Sequence, residues 1–337
     1  MITKHYLHLP KEESHLISTI KHRTAPAQLL ALKALEPRLH HSHPKRAKVE
    51  KDLIKQEAGF AGERSINYYL TFLPKEVHYR IFHDLRIRDR HAFQMDTLMI
   101  TENYIVLLEI KHYTGYVELD LTGQLNRYHS NQKKTFPNPL AQVSRQQTQL
   151  ENVLHTYGFP PIPIYSYVLF TSQNVTLDLS QTPLDLERMI RLESLPKTIE
   201  QLNHRNTHPF LTTKQIQKLS SVLLKLHQPQ ARSPLATYSL SLDDIIDGAL
   251  CPHCKYSQLT RNHYQHYWRC NECGYFGKED HLKALHDYAL LIKKEITNTE
   301  ARRFLLIESR DKMYRMLVEA LGKPSGKYYS LETLLHE

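Results

Sequence analysis

FQMDTLMITENYIVLLEIKHYT, residues 93–114, holds two apolar runs of strand character. The first carries one acid, Asp96; the second carries an acid and a lysine, Glu109 and Lys111. Side chains along a strand alternate between faces, so Glu109 and Lys111 are expected on the same side. Around them Ile105, Val106, Leu107, Leu108 and Ile110 form the near-continuous apolar pattern of a buried strand. A carboxylate and an ammonium at the end of such a strand are costly unless each is paired or held on a metal. Hard divalent cations take oxygen ligands, and Mg2+ is commonly bound by one or two carboxylates together with substrate phosphate. The pattern predicts a metal site for phosphodiester chemistry, with Lys111 beside the attacking water. The plain alternative is a turn-edge Asp96 and a surface Glu109–Lys111 pair on an edge strand.

The flanks bear on that choice. Upstream, Gly59-Phe-Ala-Gly-Glu63 opens an amphipathic helical pattern; downstream, Phe136-Pro-Asn-Pro-Leu-Ala-Gln142 opens another. This order resembles the nuclease-related domain (NERD) family, a branch of the PD-(D/E)xK nuclease superfamily, over roughly residues 58–170. The resemblance implies an α/β, restriction-endonuclease-like core: helix, mixed sheet, helix, strand. It also puts Glu63, Asp96, Glu109, Lys111 and Gln142 at the family's active-site positions, with Asp96 and Glu109 as ligands of Mg2+ or Mn2+. Met95 stands where the superfamily's proline would be, and that proline is often missing.

A chain of 337 residues is long enough for two or three domains, each with its own core. Its 44 Lys/Arg exceed its 35 Asp/Glu, and the excess sits at the ends: residues 1–50 carry nine of the cations against four acids. Basic ends around a near-neutral middle suit an acidic partner such as nucleic acid. No run approaches the ~18 apolar residues that cross a bilayer, and MITKHYLHLPKEE lacks the apolar core of a signal peptide. A cytoplasmic protein with no membrane association is expected. The four cysteines stand in two close pairs, which in a reducing compartment predicts metal rather than disulfides.

Residues 1–44 are expected to form a basic helical arm, with helical spacing at Leu29, Leu30, Leu32 and Leu35 and seven histidines up to His43. The nuclease-like domain is expected over 45–228, with its core at 58–172. It opens on a second helical pattern, in which Gly59 and Gly62 suggest close approach of another backbone or a phosphate. That helix is expected to feed Tyr68, Leu70 and Phe72 into the core. Strands are expected over His78–Leu85, around Asp96, around Glu109, over Gln124–His129 and over Ile162–Thr171. Pro139 marks a helix start, with Gln142, Gln146 and Gln149 on one polar side. Two further helical patterns, one at Thr213–Leu226, precede a linker at 229–248 that begins Pro229-Gln-Ala-Arg-Ser-Pro234.

Cys251-Pro-His-Cys254 and Cys270-Asn-Glu-Cys273 each have the spacing that aims two thiolates at one ion. Together with Gly274 and strand-like Tyr264–Arg269 they predict a zinc ribbon over 249–277 with one structural Zn2+. Residues 278–337 read as helix, short turn, helix, then a small hairpin with a basic, glycine-containing tip at Gly322–Leu331. This order resembles winged-helix modules, which would turn Arg310, Lys312 and Arg315, with Lys323 and Lys327 on the wing, toward nucleic acid. An ordinary helical hairpin packed on the ribbon is the competing reading. The function expected of the whole is a metal-dependent nuclease acting on DNA, with RNA left open. The alternative is a catalytically inactive nucleic-acid-binding or regulatory protein on a nuclease fold.

Overall fold

The structure is a computed structural model and describes residues 17–88, 91–180, 186–229, 233–261 and 266–335. The chain runs β1 (Ile17–Lys21), α1 (Ala27–Leu35), α2 (Arg46–Leu70), β2 (Tyr79–Arg88), β3 (Ala92–Ile100) and β4 (Ile105–Lys111). It continues β5 (Gly115–Leu119), β6 (Leu125–His129), β7 (Gln132–Phe136), α3 (Pro139–Thr156), β8 (Ile164–Phe170), β9 (Val175–Asp178) and β10 (Met189–Arg191). Then come α4 (Leu195–Arg205), α5 (Thr213–Leu226), α6 (Pro234–Tyr238), β11 (Trp268–Arg269), β12 (Phe276–Gly277) and α7 (Asp280–Leu291). The last elements are β13 (Glu295–Thr297), α8 (Asn298–Leu305), α9 (Arg310–Leu321) and β14 (Tyr328–Ser330).

These elements divide into two compact units. One holds the described residues of Met1–Thr24 and Ala58–Pro229; the other holds Ala25–Glu57 and the described residues of Gln230–Glu337.

The first unit is α/β, built on a six-stranded mixed sheet in the order β1-β2-β3-β4-β8-β10. Strand β3 runs antiparallel to both β2 and β4, whereas β1 joins β2, β8 joins β4 and β10 joins β8 in parallel. Every side chain of β4 from Ile105 to Ile110 is buried, as its apolar run requires of a central strand covered on both faces. Leu107 belongs to one core with Val143 and Leu150 of α3; Val106, Leu108 and Ile110 belong to another with Ile66 and Leu70 of α2. Strands β7-β6-β5-β9 form a second sheet, so the expected Gln124–His129 strand pairs apart from the Asp96 and Glu109 strands. Its β6–β7 turn places Ser130 and Asn131 at φ 49° and 60°, the two left-handed residues of a tight hairpin.

Two expectations are corrected. Ile17–Lys21, inside the expected helical arm, is a strand; Ile-Ser-Thr-Ile is short and lacks the period-two alternation that marks a strand in sequence. Tyr68 and Phe72 are 64% and 54% exposed, and Ile66, Leu70 and Leu73 turn inward in their place. Within α2 the 3.6-residue period puts 66 and 70 on one stripe and leaves 68 off it, and the turn after the helix buries Leu73 and exposes Phe72.

In the second unit α1 packs on α7, and Trp268, Leu285, Phe304, Met313 and Leu317 share one buried cluster. Asp287 on α7 is buried and pairs with the equally buried Arg38 at 3.0 Å. Strands β13 and β14 pair antiparallel around the α8–α9 helix pair. Residues 1–16 of the expected arm, 230–232 of the linker, and Tyr264 and Gln265 of the expected ribbon strand lie outside the described residues.

Candidate active site and cysteine cluster

The site of interest begins where β3 and β4 part. Their ladder runs from Ile100↔Ile105 to Thr97↔Leu108 and stops. Beyond that point β3 stays with β2 (Leu85↔Met95), while β4 stays with β8 (Glu109↔Val168, Lys111↔Phe170). The pairing of β3 with β2 also skips one residue on each strand, Asp96 and Asp84, and Asp84 takes φ 49°. Both strands change face across the skip: Phe82 and Leu85, like Met95 and Leu98, line the same core. Asp96 is thereby freed from the strict alternation and reaches across the fork, where its Oδ2 accepts the backbone N–H of Ile110 at 2.8 Å.

Glu109 and Lys111 share a face, as period two requires. Lys111 Nζ donates to Glu109 Oε1 at 2.8 Å and to Gln142 Oε1 at 3.1 Å. Gln142 is held in the first turn of α3, where Pro139 sits at the first helical position and Asn138 Oδ1 accepts from Leu140 N at 2.8 Å and Ala141 N at 3.2 Å. One turn on, buried Gln146 donates Nε2 to Glu109 Oε2 and to Gln94 O, both at 2.8 Å. Its own Oε1 is buried with no hydrogen-bond partner among the described residues. Gln146 belonged to the glutamine stripe, but nothing in that stripe distinguished the residue that reaches Glu109.

Glu63 comes from α2. A Cβ on Gly62 would lie 2.4 Å from His112 Cβ, so only glycine lets the helix pass this close to the end of β4. Gly59 differs from the expectation, since a Cβ there meets nothing within 4 Å. Glu63 Oε2 accepts from Arg23, a residue absent from the sequence-based site. Arg23 lies two residues past β1, and its side chain is 2% exposed. Its NH2 group also donates to Thr97 Oγ1 at 2.8 Å, His83 Nδ1 at 2.9 Å and the Asp96 carbonyl at 3.2 Å.

The charges act on one another. Burial, with Glu109 and Glu63 nearby, holds the Asp96 carboxyl well above the usual carboxylate range, against the pull of the Ile110 N–H. Burial raises Glu63 as well, and Arg23 only partly offsets it. Burial is the largest influence on Lys111 and lowers its pKa. The charge and hydrogen bond of Glu109, with Tyr113 and Asp96, together make the net shift upward, so Lys111 stays an ammonium. Burial and the neighbouring Arg23 push His83 down to about 3, which matches a neutral ring accepting from Arg23. A divalent cation fits this donor set. Asp96 and Glu109 are hard oxygen donors whose mutual repulsion a cation relieves, and the second Asp96 oxygen takes no hydrogen bond from the described residues.

Residues 58–171 match the nuclease-related domain, NERD. The NERD segment opens at Ala58, where the first unit resumes, and runs through β8 to Thr171, so it holds Glu63, Asp96, Glu109, Lys111 and Gln142. Strand β1 and Arg23 precede it. No significant match to the chain was found among curated proteins or among solved structures.

In the second unit the Sγ atoms of Cys251, Cys254, Cys270 and Cys273 all lie within 4.8 Å of one another. Cys251 and Cys273 are 3.6 Å apart, Cys254 and Cys270 3.8 Å. A tetrahedron of Zn–S bonds of about 2.3 Å has edges of about 3.8 Å, so the cluster fits one zinc ion. Both Cys-x-x-Cys turns close alike: Lys255 N bonds to Cys251 O and Gly274 N to Cys270 O, with φ 62° at Lys255 and 73° at Gly274.

The basic residues of the C-terminal segment follow α9 and the turn after it. Arg310, Arg315, Lys323 and Lys327 are exposed and Lys312 is half-buried. Burial lowers the Lys312 pKa, and Arg261 and Arg315 lower it further, so three cations crowd one place. Arg261, the one that sequence reasoning missed, stacks its guanidinium over the Trp268 ring at 5.3 Å.

Proposed function

We propose that this protein is a metal-dependent nuclease acting on DNA. The observation that carries the reading is the fork of β3 and β4, where Asp96 accepts the Ile110 N–H and Glu109 and Lys111 face α3 within a NERD segment. Asp96 and Glu109 would hold Mg2+ or Mn2+, and Glu63 would add an outer ligand. A bound cation of this kind polarises the scissile phosphate and makes a water more acidic. Lys111, kept as an ammonium, offsets the charge that grows on the phosphate and orients the water. Gln142 holds Lys111 from α3 and presents its amide to the substrate backbone. Gln146 fixes the Glu109 carboxylate from behind.

The four cysteines would hold one structural Zn2+, since four protein ligands leave no open position for chemistry. The order β13, α8, α9, β14 supports a winged-helix reading, with Arg310, Lys312, Arg315, Lys323 and Lys327 gripping phosphates. Among the described residues no helix is long and apolar enough to cross a membrane, and a cytoplasmic site of action goes with this reading.

One observation favours the inactive alternative: Glu63 and Glu109 already have cationic partners in Arg23 and Lys111. Incubating purified protein with DNA separates the two. Cleavage that needs Mg2+ or Mn2+ and stops with EDTA supports the nuclease; DNA binding without cleavage in either metal rejects it.

A further inference from the structure

The NERD segment does not supply every residue of its own candidate site. Arg23 arrives from outside it, on the chain just past β1. Strand β1 is pinned beside β2 in parallel register, from Ile17↔Tyr79 to Lys21↔Phe82, and Lys21 Nζ donates to His83 O at 2.9 Å. The strand end is thus tied to β2 at the place where His83 faces Thr97. From there Arg23 extends inward, and its planar guanidinium is held on two sides. NH1 binds Glu63 on α2; NH2 binds His83, Thr97 and the Asp96 carbonyl on the sheet. Glu63 Oε1 takes no hydrogen bond from the described residues, so one oxygen of that carboxylate stays open while the other is clamped.

We propose that Arg23 is a positioning residue of the metal site: it fixes the Glu63 carboxylate against β3, with one oxygen left to face a divalent cation held by Asp96 and Glu109. This rests on the metal-dependent nuclease reading above. The fork geometry of a guanidinium suits the task, because one planar group spans two elements at fixed angles. A lysine in its place reaches one side at a time. Arg23 touches neither substrate nor metal; it acts through Glu63, as groups behind metal ligands do. A competing role is that Arg23 merely occupies Glu63 and keeps metal away. The two roles predict opposite signs.

The test is Mn2+ binding to the full chain without DNA, followed by electron paramagnetic resonance of the free ion. Folding of each variant is verified by circular dichroism. Arg23→Ala is expected to weaken Mn2+ binding about 10- to 100-fold, the range typical for loss of a partner behind a metal ligand. Arg23→Lys, which serves if the alanine variant fails to fold, is expected to recover part of that loss. Arg23→Ala added to Glu63→Gln is expected to cost little more than Glu63→Gln alone, since both break one contact. Unchanged or tighter Mn2+ binding in folded Arg23→Ala or Arg23→Lys overturns the proposal, as does full additivity with Glu63→Gln. Absence of Mn2+ binding by the wild-type chain overturns the metal reading itself and this inference with it.

Discussion

The backbone N–H of Ile110 donates to Asp96 Oδ2 at 2.8 Å, bridging two strands at the point where their ladder has ended. A side chain there replaces the missing backbone acceptor, so Asp96 ties β3 to β4 past the end of their ladder, within electrostatic reach of Glu109. Asp96→Asn keeps an oxygen for that N–H and removes the charge. The expected result is a loss of cleavage of about 100-fold or more, with DNA affinity nearly unchanged, because a metal ligand acts on the transition state more than on ground-state binding. Single-turnover cleavage beside a fluorescence-anisotropy titration checks both halves. Equal cutting by the variant would place the chemistry elsewhere.

Gln146→Leu tests the support behind Glu109. The substitution keeps an apolar fit on α3 and strips Glu109 Oε2 of its amide donor. Leaving a buried carboxylate oxygen unpaired costs about 1–3 kcal/mol. The variant is expected to melt a few degrees lower and to need about tenfold more metal for half-maximal cleavage. A metal midpoint identical to that of wild type would make Gln146 an ordinary core residue.

His83 gives the first unit an acid limit. Burial, reinforced by Arg23, lowers its pKa to about 3, against about 6.5 in an unfolded chain. Between those values the unfolded chain binds more protons, so this contribution is complete above about pH 6.5 and drains as pH falls toward 3. Asp96 and Glu63 act with the opposite sign, because their raised folded pKa makes acid relieve repulsion. The difference between wild type and His83→Asn isolates the histidine: asparagine keeps an acceptor for Arg23 and does not titrate. Denaturant melts between pH 7 and pH 4 should show a shallower acid decline for His83→Asn, and parallel declines would refute the assignment.

Removing zinc should act on the second unit. Elemental analysis of the full chain is expected to find about one zinc per molecule, and Cys270→Ser to abolish it. Since binding energy at such a site is also folding energy, on the order of 10 kcal/mol, a strong chelator should remove one melting transition and leave the other. Freshly purified protein without zinc would be decisive against the site.

How much of this was legible depended on how local each signal is. The run around Ile105–Lys111 declares a central strand, and period two puts Glu109 and Lys111 together from sequence alone. The cysteine pairs are equally self-contained. The contact of Arg23 with Glu63 spans forty residues, and nothing in the few residues around Arg23 marks it as buried. The face change at Asp84 and Asp96 was equally hidden, because it belongs to the pairing of two strands and not to either one. Tyr68 and Phe72 misled for a plainer reason: aromatic residues were expected inside, while the helical period gives the inner stripe to Ile66 and Leu70 and the following turn buries Leu73 in place of Phe72.

The last prediction concerns phosphate contact by the C-terminal segment. Lys323 and Lys327 are exposed in the turn between α9 and β14, and Lys327 makes only a ring contact with Tyr328 among the described residues. Neither enters the buried cluster that holds Met313, Leu317 and Tyr329, so replacing both should leave stability within about 0.5 kcal/mol of wild type. If they meet phosphates, each lost cation lowers the slope of log affinity against log salt by roughly 0.9 on duplex DNA, without altering sequence preference. Arg315→Ala should add a similar step, because Arg315 is exposed on α9 near Lys312. Salt titrations of Lys323→Ala/Lys327→Ala, with and without Arg315→Ala, read this directly. A slope equal to that of wild type in a variant that still folds would leave α9 and its following turn to packing alone.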